Sequence, residues 1–218
     1  MPTGTWDRLA PARRAAVVAA AEAEFAARGF SGGSLNTICR EAGVAKGSLF
    51  QYFADKADMY VYLAEQSSER IHATIDAAAA ELPWDTDFVG AFESLVTTWV
   101  RYFYDHPLER AMTAAANLEP DPVARTAVRE AVNKHYLAVL RPLLERAVDT
   151  GVIRRDADLD ALLALLLLML PHLALAPHVQ GLDPLLGLAD GDADHAVRVA
   201  LNLVTTVLAP FRVTDPAV

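Results

Sequence analysis

Between Val44 and Phe53, Leu49 and Phe53 lie four apart as a buried pair and leave Lys46, Gly47, Ser48, Gln51 and Tyr52 around them. The leading end of this segment is small and polar. Such a helix suits the DNA major groove, because bulk at its N-terminal residues would hold the backbone away from the base edges. Other chemistry is hard to assemble. The sequence has no G-x-S-x-G, no phosphate-cradling glycine loop and no H-E-x-x-H. His172 and His178 are six apart, on different helix faces with a proline between, which makes a poor zinc pair. His72, His106, His135 and His195 are scattered and read as structural. No catalytic set, metal site or cofactor is expected.

The elements that must carry the polar tip are legible on either side of it. Ser34 suits a helix N-cap, its hydroxyl accepting from a backbone N–H two or three residues on. Leu35, Ile38 and Cys39 give that short helix one apolar side, and Ala42-Gly43 ends it with the residue that best tolerates the left-handed conformation. Val44 turns inward and the second short helix follows. Asp55, with Asp58 three residues on, opens a longer helix. Lys56 lies in its first turn, where its charge and the helix N–H groups can address one phosphate. This is a helix-turn-helix.

The stretch G-F-x-x-x-S-L-x-x-I-C-x-x-A-G-V-A-x-G-S-L-F-x-Y-F-x-x-K-x-x-M, from Gly29 to Met59, resembles the TetR family of bacterial transcriptional regulators at nearly every position that defines the family. The resemblance covers the N-terminal quarter; beyond Lys56 the family shares architecture more than residues. By position it implies that Lys46 and Gly47 face base edges with Asn36 beside them. It implies that Ser34, Ser48, Gln51, Tyr52 and Lys56 hold phosphates. Two residues depart from the pattern. Phe50 stands where a tyrosine is frequent, removing one hydroxyl contact, and Ala45 stands where a capping serine or threonine is frequent.

At 218 residues and 53% apolar, the chain can bury a sizeable core. Alternating strand patterns are missing, so the expected fold class is all-α, with about nine helices. An N-terminal three-helix DNA-binding domain at 1–56 and a larger effector-binding and dimerisation domain at 57–218 are expected. The single cysteine, Cys39, excludes an internal disulfide framework, and with no targeting segment in view a cytoplasmic location is expected. The net charge of −9 divides unevenly. Residues 1–56 carry seven basic and five acidic side chains, and the remainder carries 12 basic and 23 acidic. Phosphate attraction acts over about 8–10 Å, so the local excess counts more than the total. The split matches a DNA-binding head on a body with other duties.

A bracing helix with Val17, Ala21 and Phe25 on one face closes at Gly29, and the helix from Asp55 runs to about Ala80. A helix from about Thr86 to Asp105 carries Phe88, Phe92, Leu95, Trp99 and Phe103 down one stripe. A short helix then ends near Leu118, and Glu119-Pro120-Asp121-Pro122 interrupts before a helix from Val123 to about Thr150, which Pro142 should bend or divide. Ala161 to Leu170 is an unbroken apolar run, too short for a membrane span of about 20 residues. A helix apolar on all sides needs cover on all sides, so one side is expected to face a second chain. With the last helix (Val197, Leu201, Val204, Leu208, Phe211), helices within 156–176 and 193–211 are expected to form a four-helix homodimer interface, where the family also dimerises.

Trp99, Tyr102, Phe103, Met112, Asn117, His135, Tyr136, Met169 and His172 lie on helices that enclose the effector in the family. They read either as core or as a small-molecule pocket. The function expected is a DNA-binding regulator, a repressor binding a near-palindromic operator as a dimer and released by a small, largely apolar effector. The competing readings are a helical ligand-binding or adaptor protein with a vestigial head, and an enzyme on a helical dimer, for which no residue set speaks.

Overall fold

The computed structural model describes residues 2–183 and 185–213. In chain order its helices are α1 (Gly4–Asp7), α2 (Pro11–Gly32), α3 (Leu35–Ala42), α4 (Lys46–Tyr52), α5 (Lys56–Ala80), α6 (Phe88–Asp105), α7 (Pro107–Asn117), α8 (Pro122–Asp149), α9 (Leu159–Leu175) and α10 (Ala193–Leu208), with a 3-10 turn at Ala209–Phe211. The all-α expectation holds. Among the described residues the helix not anticipated is α1, a single turn. No sheet forms among them, an isolated bridge pairing Ile153 with Arg212. None of these helices is long and apolar enough to cross a membrane.

Two compact units divide the chain. The first holds Met1–Arg70 and Pro107–Asn133, the second Ile71–His106 and Lys134–Val218. The unit around the helix-turn-helix is therefore larger than residues 1–56, and the reason is packing. Met59, Tyr60 and Leu63 of α5, Met112 and Ala116 of α7, and Val128 of α8 share one core with Phe25, Ile38 and Leu49. In α2 the spacing of Val17, Ala21 and Phe25 puts all three on that core. Arg70 fastens α2 to α7, donating to Glu22 (2.8 Å) and Glu109 (2.9 Å). Burial opposes the charge on Arg70, but the two carboxylates outweigh it and push the guanidinium upward.

The second unit is built around the aromatic stripe of α6. Phe88, Phe92, Leu95, Trp99 and Phe103 are buried against Leu143 and Leu144 of α8, Leu162, Leu166 and Leu170 of α9, and Val204 of α10. Pro142 does not divide α8, which runs as one helix through Asp149, and its ring sits on the exposed side. In α9 the apolar run splits into two faces. Leu162, Leu163, Leu166 and Leu170 face the core, while Ala161, Ala164, Leu165 and Leu168 are exposed, Leu168 at 72%.

Candidate nucleic-acid interface

The helix-turn-helix is fixed by capping at each joint. The Thr37 N–H donates to the Ser34 hydroxyl (3.4 Å), and the N–H of Ser34 donates to Glu24 (2.9 Å), so both ends of the cap residue are used. At the other end of α3, Gly43 adopts φ +65°, ψ +32°. Its N–H donates to Arg40 O (3.2 Å) and that of Val44 to Cys39 O (3.0 Å), the paired bonds of a Schellman ending. Val44 is then buried against α3 and α4 starts without a side-chain cap, since its N-cap is Ala45. Its far end is held by the N-terminal arm: the Thr3 N–H and hydroxyl donate to Tyr52 O (2.9 Å) and Gln51 O (2.5 Å). Trp6 packs on Tyr52 (5.8 Å between centroids) and Phe53 (4.9 Å). The start of α5 carries a reciprocal cap, Asp58 N–H to Asp55 (2.8 Å) and Ala54 N–H to Asp58 (3.1 Å).

These joints leave Lys46, Gly47 and Gln51 exposed on α4 and Asn36 exposed on α3. A Cβ added at Gly47 would meet nothing within 4 Å, so the helix tip is open. Ser34 and Ser48 are half-buried, and Phe50 adds exposed apolar surface to α4. Tyr52 is placed differently, 6% exposed with its ring on Trp6. Lys56 is half-buried, donating to Gly33 O (3.1 Å) with its ammonium 4.4 Å above the Phe30 ring. It ties α5 to the α2–α3 connection and keeps two further N–H donors. Lys56→Ala is expected to lower the unfolding free energy by about 1–2 kcal/mol, measured by urea titration, in addition to any loss of DNA affinity. Unchanged stability would refute the tie. Beside the tip, burial pushes the Cys39 thiol up while the Lys46 charge offsets part of that.

Four residues that hold this arrangement were not singled out from the sequence: Thr3, Trp6, Glu24 and Glu119. Glu24 interrupts the buried face of α2, and Glu119 stands before a proline, yet neither position names its partner. Glu119 is 2% exposed and accepts from Phe30 N–H (2.8 Å), Ser31 N–H (3.3 Å), Asp121 N–H (3.1 Å) and the Ser31 hydroxyl. Burial pushes its carboxyl up, but the bonds from Ser31, Asp121 and Phe30 outweigh this and hold it below the ordinary value of 4.5. A depressed carboxyl stabilises the fold fully above its ordinary value and loses that contribution as pH falls through the folded one. The stability gap between the wild type and Glu119→Gln is therefore expected to be widest at pH 7 and to close in acid. A gap independent of pH in urea titrations would contradict this.

The expected effector residues separate between the units. Trp99, Tyr102, Phe103, His135, Tyr136, Met169 and His172 belong to the second, whereas Met112 and Asn117 belong to the first. Trp99 meets Phe103 (5.2 Å) and Tyr136 (6.5 Å), Tyr102 meets Phe103 (5.8 Å), and Met169 packs on the same core. His135 lies beside His72 (5.3 Å) and His172 is exposed. Met112 is in the core of the first unit, and Asn117 bonds Thr113 O (2.9 Å) and accepts from Arg129 (2.6 Å). A separate shallow groove in the second unit, lined by Phe88, Phe92, Val152, Val204, Leu208 and Arg212, contains none of them.

A capped helix-turn-helix with an open polar tip, followed by a helical body, defines a DNA-binding regulator class. Residues 17–63 match the family described as bacterial regulatory proteins, tetR family, and residues 82–184 match the tetracyclin repressor-like C-terminal domain. The chain belongs to the TetR family and is a DNA-binding transcriptional regulator, not an enzyme. It is 28% identical over 156 residues to the HTH-type transcriptional repressor NicS of Pseudomonas putida, covering 71% of this chain and 72% of that one. Over 171 residues it is 25% identical to the repressor AcnR of Corynebacterium glutamicum, covering 77% and 85%. The fold is also that of the regulator FadR from Bacillus subtilis in complex with stearoyl-CoA, with a TM-score of 0.70 at 16% identity, covering 88% and 98%.

Proposed function

We propose that this chain is a repressor that binds a near-palindromic operator as a homodimer in the cytoplasm and leaves it on binding a small, largely apolar effector. The observation that carries the reading is the open tip of α4, where Lys46 and Gly47 face solvent at the leading end of a helix that follows the Schellman ending of α3. In this reading Lys46 and Gly47 approach base edges with Asn36 beside them. Ser34, Ser48, Gln51, Tyr52 and Lys56 hold the flanking phosphates, and Lys56 does so while bonded to Gly33. The division of duties is residues 1–56 for DNA and 57–218 for effector and dimer.

Two subunits pair through α9 and α10, which supplies the missing cover for Leu165 and Leu168. The effector occupies the second unit among Trp99, Tyr102, Phe103, Tyr136 and Met169, with His135 and His172 offering polar contacts. FadR from Bacillus subtilis, whose fold this chain shares, was solved in complex with stearoyl-CoA, a ligand with a long apolar acyl chain on a charged coenzyme A head. To move the dimer from nearly all operator-competent to nearly all incompetent, the effector must prefer the second state by about 5 kcal/mol. Selection of binding sites from a random DNA pool tests the reading. Enrichment of a site with two inverted halves supports it, and failure to enrich any sequence overturns it.

A further inference from the structure

A carboxylate 2% exposed in a turn is costly unless its hydrogen bonds are complete. Three of the four donors to Glu119 come from Phe30 and Ser31, the two residues that follow Gly29. Gly29 has φ +65° and ψ −176°, a conformation open essentially to glycine alone. There α2 stops winding regularly, and the amides beyond the break point at a side chain 88 and 89 positions away in the sequence. A Cβ on Gly29 would stand 3.1 Å from the Glu119 carboxylate, so the corner and the carboxylate fit one another closely. Four residues, Phe30 to Gly33, separate Gly29 from Ser34, the cap of α3. The Schellman turn couples α4 to α3, so a change of angle at the Gly29 corner is passed on to the open tip.

We propose that Glu119 is a positioning residue for DNA binding: from the α7–α8 turn its carboxylate holds the Gly29 corner at one angle, and so fixes where α3 and α4 present their tip. The inference rests on the DNA-binding reading and adds to it a residue outside the helix-turn-helix. Without the carboxylate, the Phe30 and Ser31 amides turn to water and the corner gains freedom. Base-edge contacts need register, whereas phosphate attraction tolerates its loss. Specific binding therefore falls and non-specific binding does not.

The test compares the full-length wild type, Glu119→Gln and Glu119→Ala at a temperature where circular dichroism shows all three folded. The probes are the site enriched by the wild type from a random pool and a mixed-sequence duplex of equal length. Glu119→Ala is expected to bind the enriched site about thirtyfold more weakly and the mixed duplex within about threefold of the wild type. Glu119→Gln, which keeps one carbonyl acceptor, is expected to lie between. Amide exchange at Phe30 and Ser31 is expected to quicken in both variants, and the glutamine variant decides the matter if the alanine variant does not fold. Equal losses on both probes, or no loss on either, overturn the inference. If the wild type enriches no site, the DNA-binding reading falls and the inference with it. If the wild type enriches a site that the folded variants bind equally well, only the inference about Glu119 falls.

Discussion

Leu168→Glu is expected to leave the chain folded and to abolish its self-association. Leu168 is 72% exposed on α9, so the folded subunit loses little apolar burial from the change, and glutamate forms helix about as readily as leucine. In a two-fold interface the same substitution is introduced twice, once from each subunit. Each carboxylate then has to be desolvated without a partner, at a cost of about 1–3 kcal/mol even after partial compensation. The dimer dissociation constant should rise at least a hundredfold, visible as a monomer by analytical ultracentrifugation. Operator affinity should fall by about 10²-fold or more, because a subunit alone loses the effective concentration that the second head supplies. A variant that remains dimeric would place the interface elsewhere.

Gly47→Leu separates stability from recognition. Nothing lies within 4 Å of a Cβ at this position, and a glycine inside a helix costs roughly 1 kcal/mol relative to a good helix former. The variant is therefore expected to unfold at higher urea than the wild type. Its affinity for the enriched site is expected to drop by about 10–100-fold, because the added bulk stands between the α4 backbone and the bases and removes contacts worth about 1–3 kcal/mol each. Lys46→Ala should also weaken specific binding, with the folded state untouched since Lys46 is exposed. Gel shifts on the enriched site and a mixed duplex check both. An affinity for the enriched site unchanged in both variants would mean that the tip of α4 does not read DNA.

What could be read from the sequence was what local spacing controls. Ser34 as cap, Gly43 as the left-handed ending, the Leu49–Phe53 pair and the Asp55–Asp58 cap are each decided within four residues, and each stands as read. The apolar run of α9 was legible as a helix without a polar side, but which of its residues the subunit buries (Leu162, Leu163, Leu166, Leu170) and which it leaves exposed (Leu165, Leu168) was not. Long-range partners were not legible. Glu119 meets Phe30, Thr3 meets Gln51, and Trp6 meets Tyr62 across 89, 48 and 56 positions, and no periodicity connects them. The same gap explains why the first unit outgrew residue 56, since Met112 and Val128 join its core from helices far along the chain. Pro142 was expected to bend or divide its helix, but it does not divide it: one lost backbone bond on an exposed side does not end a 28-residue helix.

Methylation interference on the enriched site, with dimethyl sulfate acting on guanine N7, tests most directly whether α4 enters the major groove. The N7 atom lies on the major-groove edge. Methylated guanines should block binding in two clusters related by the site's two-fold axis, about one helical turn or a multiple apart. In the Gly47→Leu variant any residual binding should lose that pattern. Binding by the wild type that is indifferent to N7 methylation throughout the site would contradict the account.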